Sequence, residues 1–167
     1  MRVYLIPFYI IIFLLGIVIG SFLNVCIYRI PKHENITIER SHCMNCGNVL
    51  KWYELIPVIS FLLQGGKCRN CKVKLSVQYP VIELLSGILY LSVFMVCGFS
   101  IKTVPACLLS SVLIVISVID FRTFEIPIGC NIFIFILGII NLIFDLPHIS
   151  SYVIGFLAVS TVLFLFN

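Results

Sequence analysis

Long apolar runs without charge dominate the chain. The first covers residues 3–28, and four more lie at about 80–99, 103–119, 126–144 and 149–166. About 20 apolar residues of α-helix cross the hydrocarbon of a bilayer, so each run predicts a membrane helix. The breaks between the last four runs are short, at 102–105, 120–127 and 145–148. Short connections make successive helices antiparallel neighbours. The polar residues gather in one stretch, about 29–78, between the first and second runs. The first run is too long for a signal-peptide core and no A-x-A site follows it, so it reads as a retained helix.

This pattern predicts an all-α polytopic membrane protein with about five transmembrane helices and one small loop outside the bilayer. The expected partition is 1–28 for the first helix, 29–79 for the loop and 80–167 for the remaining helices. Composition points the same way. Of the 167 residues, 61% are hydrophobic and 11% charged, with mean hydropathy +1.17. A soluble domain is about half apolar and about a quarter charged. The apolar excess here could not all be buried in a core of this size. A soluble enzyme, a disordered chain and a nucleic-acid-binding domain are therefore not expected.

Charge then orients the chain. Most of its 11 Lys and Arg residues fall within 29–74: Arg29, Lys32, Arg40, Lys51, Lys67, Arg69, Lys72 and Lys74. Basic loops stay cytoplasmic, so the loop should face the cytoplasm and the N-terminus the outside. The basicity reads as a topology signal beside anionic lipid rather than a nucleic-acid site.

Four of the eight cysteines lie in this loop as two CxxC pairs, Cys43/Cys46 and Cys68/Cys71, with 21 residues between the pairs. Each CxxC turn aims two thiolates at one point, and two turns complete a tetrahedron that suits zinc. Gly47 after the first pair fits a tight knuckle with φ > 0. Iron is the alternative metal. A redox dithiol is disfavoured because no thioredoxin-like βαβ pattern surrounds the pairs. A closed four-sulfur site leaves no position for a catalytic water, which makes its expected role structural: it would organise a zinc-ribbon-like loop too small to build a core. Cys26, Cys97, Cys107 and Cys130 stand singly in apolar runs and are expected to be buried. His33, His42 and His148 are scattered and form no H-E-x-x-H motif, so they are expected at the surface.

Polar residues at membrane depth are costly and tend to be functional or paired. Asp120 lies at the cytoplasmic end of the predicted third helix, on one helical face with Ser110 and Ser117. That face is expected to point into the bundle. Asp120 reads either as a catalytic carboxylate or as a helix-end charge; Arg122 and Glu125 read as solvated loop charges. Glu83 follows Tyr79-Pro80 at the start of the second helix, where proline is well placed and the dipole favours a carboxylate. The first helix carries Gly16-x-x-x-Gly20, a close-packing stripe. Asn24, one turn further on, must find a partner or line a polar pocket.

These pieces, in this order, resemble the bacterial prepilin peptidases. The matching stretches are GSFLNVCIYRIP at 20–31, the two CxxC pairs, YPVIELLSG at 79–87, and Asp120 followed by Ile126-Pro127. The resemblance implies an aspartic endopeptidase of the bacterial cytoplasmic (inner) membrane. It would remove the basic leader of pilin-like precursors, for type IV pili or type II secretion, and N-methylate the new amino terminus with S-adenosylmethionine. It further implies zinc on Cys43, Cys46, Cys68 and Cys71, a catalytic Asp120, and a methylation-associated role for Asn24, Arg29 and Glu83.

The family's second aspartate lies in a G-x-G-D motif, which does not occur in these residues. Aspartic hydrolysis needs two carboxyls in different protonation states. Asp145 lies across the fourth helix, about 19 residues or roughly 28 Å away, and cannot supply the second. The chain as given is therefore expected to be C-terminally incomplete and to lack peptidase activity. A non-catalytic zinc-loop adaptor and a methyltransferase-only form remain as alternatives.

Overall fold

The computed structural model describes residues 5–37, 40–145, 147 and 149–165. Its helices are α1 (Ile6–Arg29), α2 (Ile59–Leu63), α3 (Gln78–Cys97), α4 (Thr103–Thr123), α5 (Ile128–Phe144) and α6 (Ile149–Leu165). No β-strand forms among the described residues. Prolines mark the helix starts: Pro7 and Pro80 lie in the first turns of α1 and α3, and Pro127 immediately precedes α5. There the missing N–H costs nothing, because first-turn donors have no intrahelical acceptor. Gly98 ends α3 at φ 59°, a conformation that suits a residue without Cβ.

Helices α1, α3 and α4 are long and apolar enough to cross a membrane. The apolar helices α5 and α6, with 17 residues each, sit at the short end of the spanning range. The chain is a multi-pass membrane protein. Successive membrane helices run antiparallel, which leaves α1 and α4 parallel. Phe8 near the start of α1 meets Phe99 beyond the end of α3, ring centroids 5.1 Å apart. Arg122 at the end of α4 bonds Tyr28 at the end of α1. Lys102, just before α4, pairs with Asp145, just after α5, at 3.2 Å. Asp145 is thus held at the end of the bundle opposite Asp120, as the helix length predicts.

The closest approach is between α1 and α3. A Cβ on Gly16 would lie 2.8 Å from the Cα of Gly87, and one on Gly20 would lie 2.7 Å from the Cα of Glu83. The Gly-x-x-x-Gly stripe lets the two backbones touch, the usual device where no hydrophobic effect draws helices together in lipid. Tyr90 of α3 and Ser111 of α4 share a buried 2.9 Å hydrogen bond. Leu23, Ile27, Ile82, Ile114, Val115 and Ile119 form the core between the three helices. Ile11, Leu14, Val18 and Phe22, on other faces of α1, are exposed, as a lipid-facing surface should be.

Two expectations are corrected here. The buried face of α4 is that of Ser111, Ile114, Val115 and Ile119, while Ser117 and Asp120 are exposed and Ser110 half-buried. The large aliphatic side chains fill the bundle, so the hydroxyl face is turned out. Among the lone cysteines, Cys26 and Cys130 are buried, but Cys97 and Cys107 only partly. Of the histidines, His33 and His42 are exposed, and His148 lies outside the described residues.

Candidate functional site

The two CxxC pairs fold as two copies of one knuckle. In the first, Cys43 N–H donates to Asn48 O and Gly47 N–H to Cys43 O. In the second, Cys68 N–H donates to Val73 O and Lys72 N–H to Cys68 O. Single antiparallel bridges, His42 with Val49 and Lys67 with Lys74, close the two copies. The residue after each second cysteine has positive φ, 68° at Gly47 and 58° at Lys72. The first was legible because glycine marks it; the second was not, because lysine does not.

The four Sγ atoms lie within 4.8 Å of one another, and those of Cys43 and Cys71 are 3.8 Å apart. Four sulfurs about 2.3 Å from one tetrahedral ion would be about 3.8 Å apart. The cluster can hold a metal ion. The Cys71 thiol is pulled down to about 6, first by the backbone N–H of Val73 and then by the Asn45 side chain. The thiolate is the ligating form of cysteine.

The knuckles stand over the ends of α1, α3 and α4 and enclose a cleft of about 900 Å³. Asn24, Arg29 and Glu83 all line it, together with Cys43 and Cys68. Asn24 is 2% exposed. Its Nδ2 donates to Tyr79 O at 3.1 Å, and its Oδ1 is buried without a partner among the described residues. Glu83 is 6% exposed, and its Oε2 accepts the Val58 N–H at 2.7 Å. This bond ties the loop to a membrane helix. Arg29 works differently. Its Nη1 donates to the carbonyls of Asn35 at 2.9 Å and Ile36 at 3.2 Å, which clamps the chain as it leaves α1.

Composition and spacing gave no sign of the rest. Arg122 belongs to the last turn of α4 and is not a free loop charge. Its guanidinium lies 4.5 Å from the Tyr28 ring centroid and hydrogen-bonds Tyr28 Oη and Gln78 Oε1. Tyr28 in turn stacks on Tyr79. Glu54 is a second buried carboxylate on the cleft wall. It accepts from Lys51 N–H at 2.9 Å and faces Arg69 Nε at 3.6 Å. Asp120 does not line the cleft, and no hydrogen bond or ion pair reaches its carboxylate among the described residues.

The family model described as "Bacterial Peptidase A24 N-terminal domain" matches residues 14–97, a span that holds both knuckles and the cleft residues of α1 and α3. A Myxococcus xanthus protein named "Prepilin leader peptidase/N-methyltransferase" is 41% identical over 125 residues, 75% of this chain and 37% of its own length. The chain belongs to the prepilin peptidase family. Relatives of the same name from Bacillus subtilis and Neisseria gonorrhoeae are 38% and 33% identical, over 70% and 86% of this chain. The chain spans 47% and 59% of their lengths, so roughly half of a typical prepilin peptidase relative is represented. No solved structure matches.

Proposed function

We propose that this chain carries the methyl-transfer cleft and one peptidase carboxylate of a prepilin leader peptidase/N-methyltransferase. The enzyme would work at the cytoplasmic face of the bacterial inner membrane, with the N-terminus of the chain outside. Residues 29–79 would form its zinc-ordered part, between the first helix and the helices of 80–167. Its substrates would be pilin-like precursors.

The observation that carries this reading is the convergence of Asn24, Arg29 and Glu83 on one cleft. Its volume, about 900 Å³, lies within the usual range for small-molecule sites. S-adenosylmethionine supplies an electrophilic methyl group when bound. It also brings cationic groups and hydrogen-bonding edges. The Glu83 carboxylate suits a cation, and the orphaned Oδ1 of Asn24 suits a donor. Arg29 holds the 35–36 backbone against the cleft and acts by positioning. Cys43, Cys46, Cys68 and Cys71 would hold zinc in a structural role that fixes the roof of the cleft.

Asp120 is proposed as one member of the catalytic aspartate pair. Peptide hydrolysis would pair it with the family's second aspartate, one carboxyl acting as base and the other as acid.

The test is transfer of labelled methyl from S-adenosylmethionine to a pre-cleaved pilin in membranes. Glu83→Gln and Asn24→Ala should each reduce it at least tenfold without releasing metal. Methylation unaffected by either change would overturn the assignment. Absence of transfer in the unaltered chain would favour the adaptor reading. Cleavage of the intact precursor is measured in parallel, with Asp120→Ala as control.

A further inference from the structure

Residues 52–63 of the loop carry an apolar surface that neither the metal cluster nor the cleft explains. Trp52, Leu62 and Leu63 are 78%, 70% and 76% exposed, and Ile59 is 55% exposed. Ile59, Leu62 and Leu63 share one face of α2, at i, i+3 and i+4. Water would penalise such a face on a purely cytoplasmic loop.

Its position bears on what covers it. The Val58 N–H lies 2.7 Å from Glu83 Oε2. Glu83 is the sixth residue of α3, about 7.5 Å along the helix axis from its start. Even with the side chain leaning back towards the helix N-terminus, Val58 sits level with the first turns of a membrane helix. The segment is thus held level with the start of a helix able to cross a membrane, where a bilayer surface would lie. It also has the chemistry of that zone, where Trp and Tyr lie at headgroup level. Cations flank it in the required place. Lys51 and Arg69 lie 5.9 Å and 5.2 Å from the Tyr53 ring centroid, and Lys67, Lys72 and Lys74 follow in the chain. Basic side chains beside an apolar segment match anionic lipid headgroups.

We propose that residues 52–63 form an interfacial anchor. In this arrangement Trp52 and the Ile59–Leu62–Leu63 face insert into the leaflet from which the cleft opens. The anchor would fix the height of the four-cysteine knuckles above the helix ends.

Trp52 is the sole tryptophan of the chain, so its fluorescence reports on this segment alone. The full chain is reconstituted into phosphatidylcholine/phosphatidylglycerol vesicles, with part of the phosphatidylcholine brominated either near the headgroup or deep in the acyl chain. The expected result is blue-shifted emission, with greater loss of intensity for the shallow bromines than for the deep ones, and little quenching by aqueous iodide. Emission at the water position with strong iodide quenching would overturn the proposal. So would blue-shifted emission insensitive to lipid bromine, which would mean that protein covers the face. Changing Leu62→Glu and Leu63→Glu together should reduce bromine quenching while the metal content stays unchanged. Unchanged quenching in that metal-loaded variant would also count against the anchor. If the variant fails to load metal, the unaltered chain still decides.

Discussion

Gly20→Ala tests the intimacy of the α1–α3 contact. The added Cβ would lie 2.7 Å from Glu83 Cα and 2.9 Å from Ser86 Cβ. Carbon atoms rest at about 3.5–4.0 Å, so the helices must part by roughly 1 Å. Both obstacles sit on or next to the backbone, and no flexible side-chain tip can move aside. Overpacking of this kind costs about 1–3 kcal/mol. The Asn24–Tyr79 bond, 3.1 Å long and one turn away, would stretch, and intramembrane hydrogen bonds average about 0.6 kcal/mol. Alanine returns up to about 1 kcal/mol of helix propensity. The net expectation is a loss of about 1–2 kcal/mol, a five- to thirtyfold change in the folded ratio. Gly138 of α5 is the internal control, because a Cβ there meets nothing within 4 Å. Gly138→Ala should be neutral or stabilising by up to about 1 kcal/mol. Reversible unfolding in mixed micelles with a denaturing detergent measures both. If the two substitutions shift stability equally, or Gly20→Ala is the more stable, the close approach is not real.

Three further outcomes are expected. Val58 has φ 59° and ψ −53°, a γ-turn geometry that is strained for a β-branched residue; Val58→Gly should stabilise the protein by about 1 kcal/mol, and a drop in the unfolding midpoint would count against the strain. Tyr90→Phe and Ser111→Ala should show a coupling of about 0.6 kcal/mol in a double-mutant cycle, and zero coupling would mean that their 2.9 Å bond is not formed in lipid. Stripping metal with a chelator should open residues 41–74 to protease while helical circular dichroism persists, and adding zinc back should restore resistance. An unchanged cleavage pattern would show that the cysteines do not order the loop.

The elements legible in the sequence are those with a local physical signature. Apolar runs of bilayer length gave the helices, and α1, α3 and α4 each begin and end within a few residues of the expected bounds. Two thiol pairs at CxxC spacing gave the cluster, since that spacing constrains the backbone of any chain carrying it. The direction in which α4 turns was not legible. Ser110, Ser117 and Asp120 share a face by spacing, but spacing cannot say which face the neighbours cover. Close packing selected Ile114, Val115 and Ile119 instead. Long-range pairs were hidden for a related reason. Arg122 and Tyr28 stand 94 residues apart, and only the passage out along α3 and back along α4 brings them together. The short helix α2 sits in a stretch scored as polar loop, because the surrounding cations mask a run from Leu55 to Leu63 that is itself apolar.

The last turn of α4 separates two chemistries. Ile119, Arg122 and Thr123 line the cleft and share one face at i, i+3 and i+4. Asp120 lies about 100° round the helix from Ile119 and about 160° from Arg122, and its side chain is exposed. One turn therefore presents a cation and its aromatic stack to the cleft and a carboxylate to the other side. On the proposed reading, a peptide bond held at Asp120 is not at Glu83. A newly cut amino terminus would have to pass the end of α4 before it could be methylated. Arg122, bridging Tyr28 and Gln78 at that end, stands on the route. In an enzyme that carries both aspartates, Arg122→Ala should then reduce methylation of a precursor cleaved in place by more than it reduces methylation of a pilin supplied already cut. Equal losses for both substrates would place Arg122 in the cleft wall alone and remove the need for any transfer around the helix.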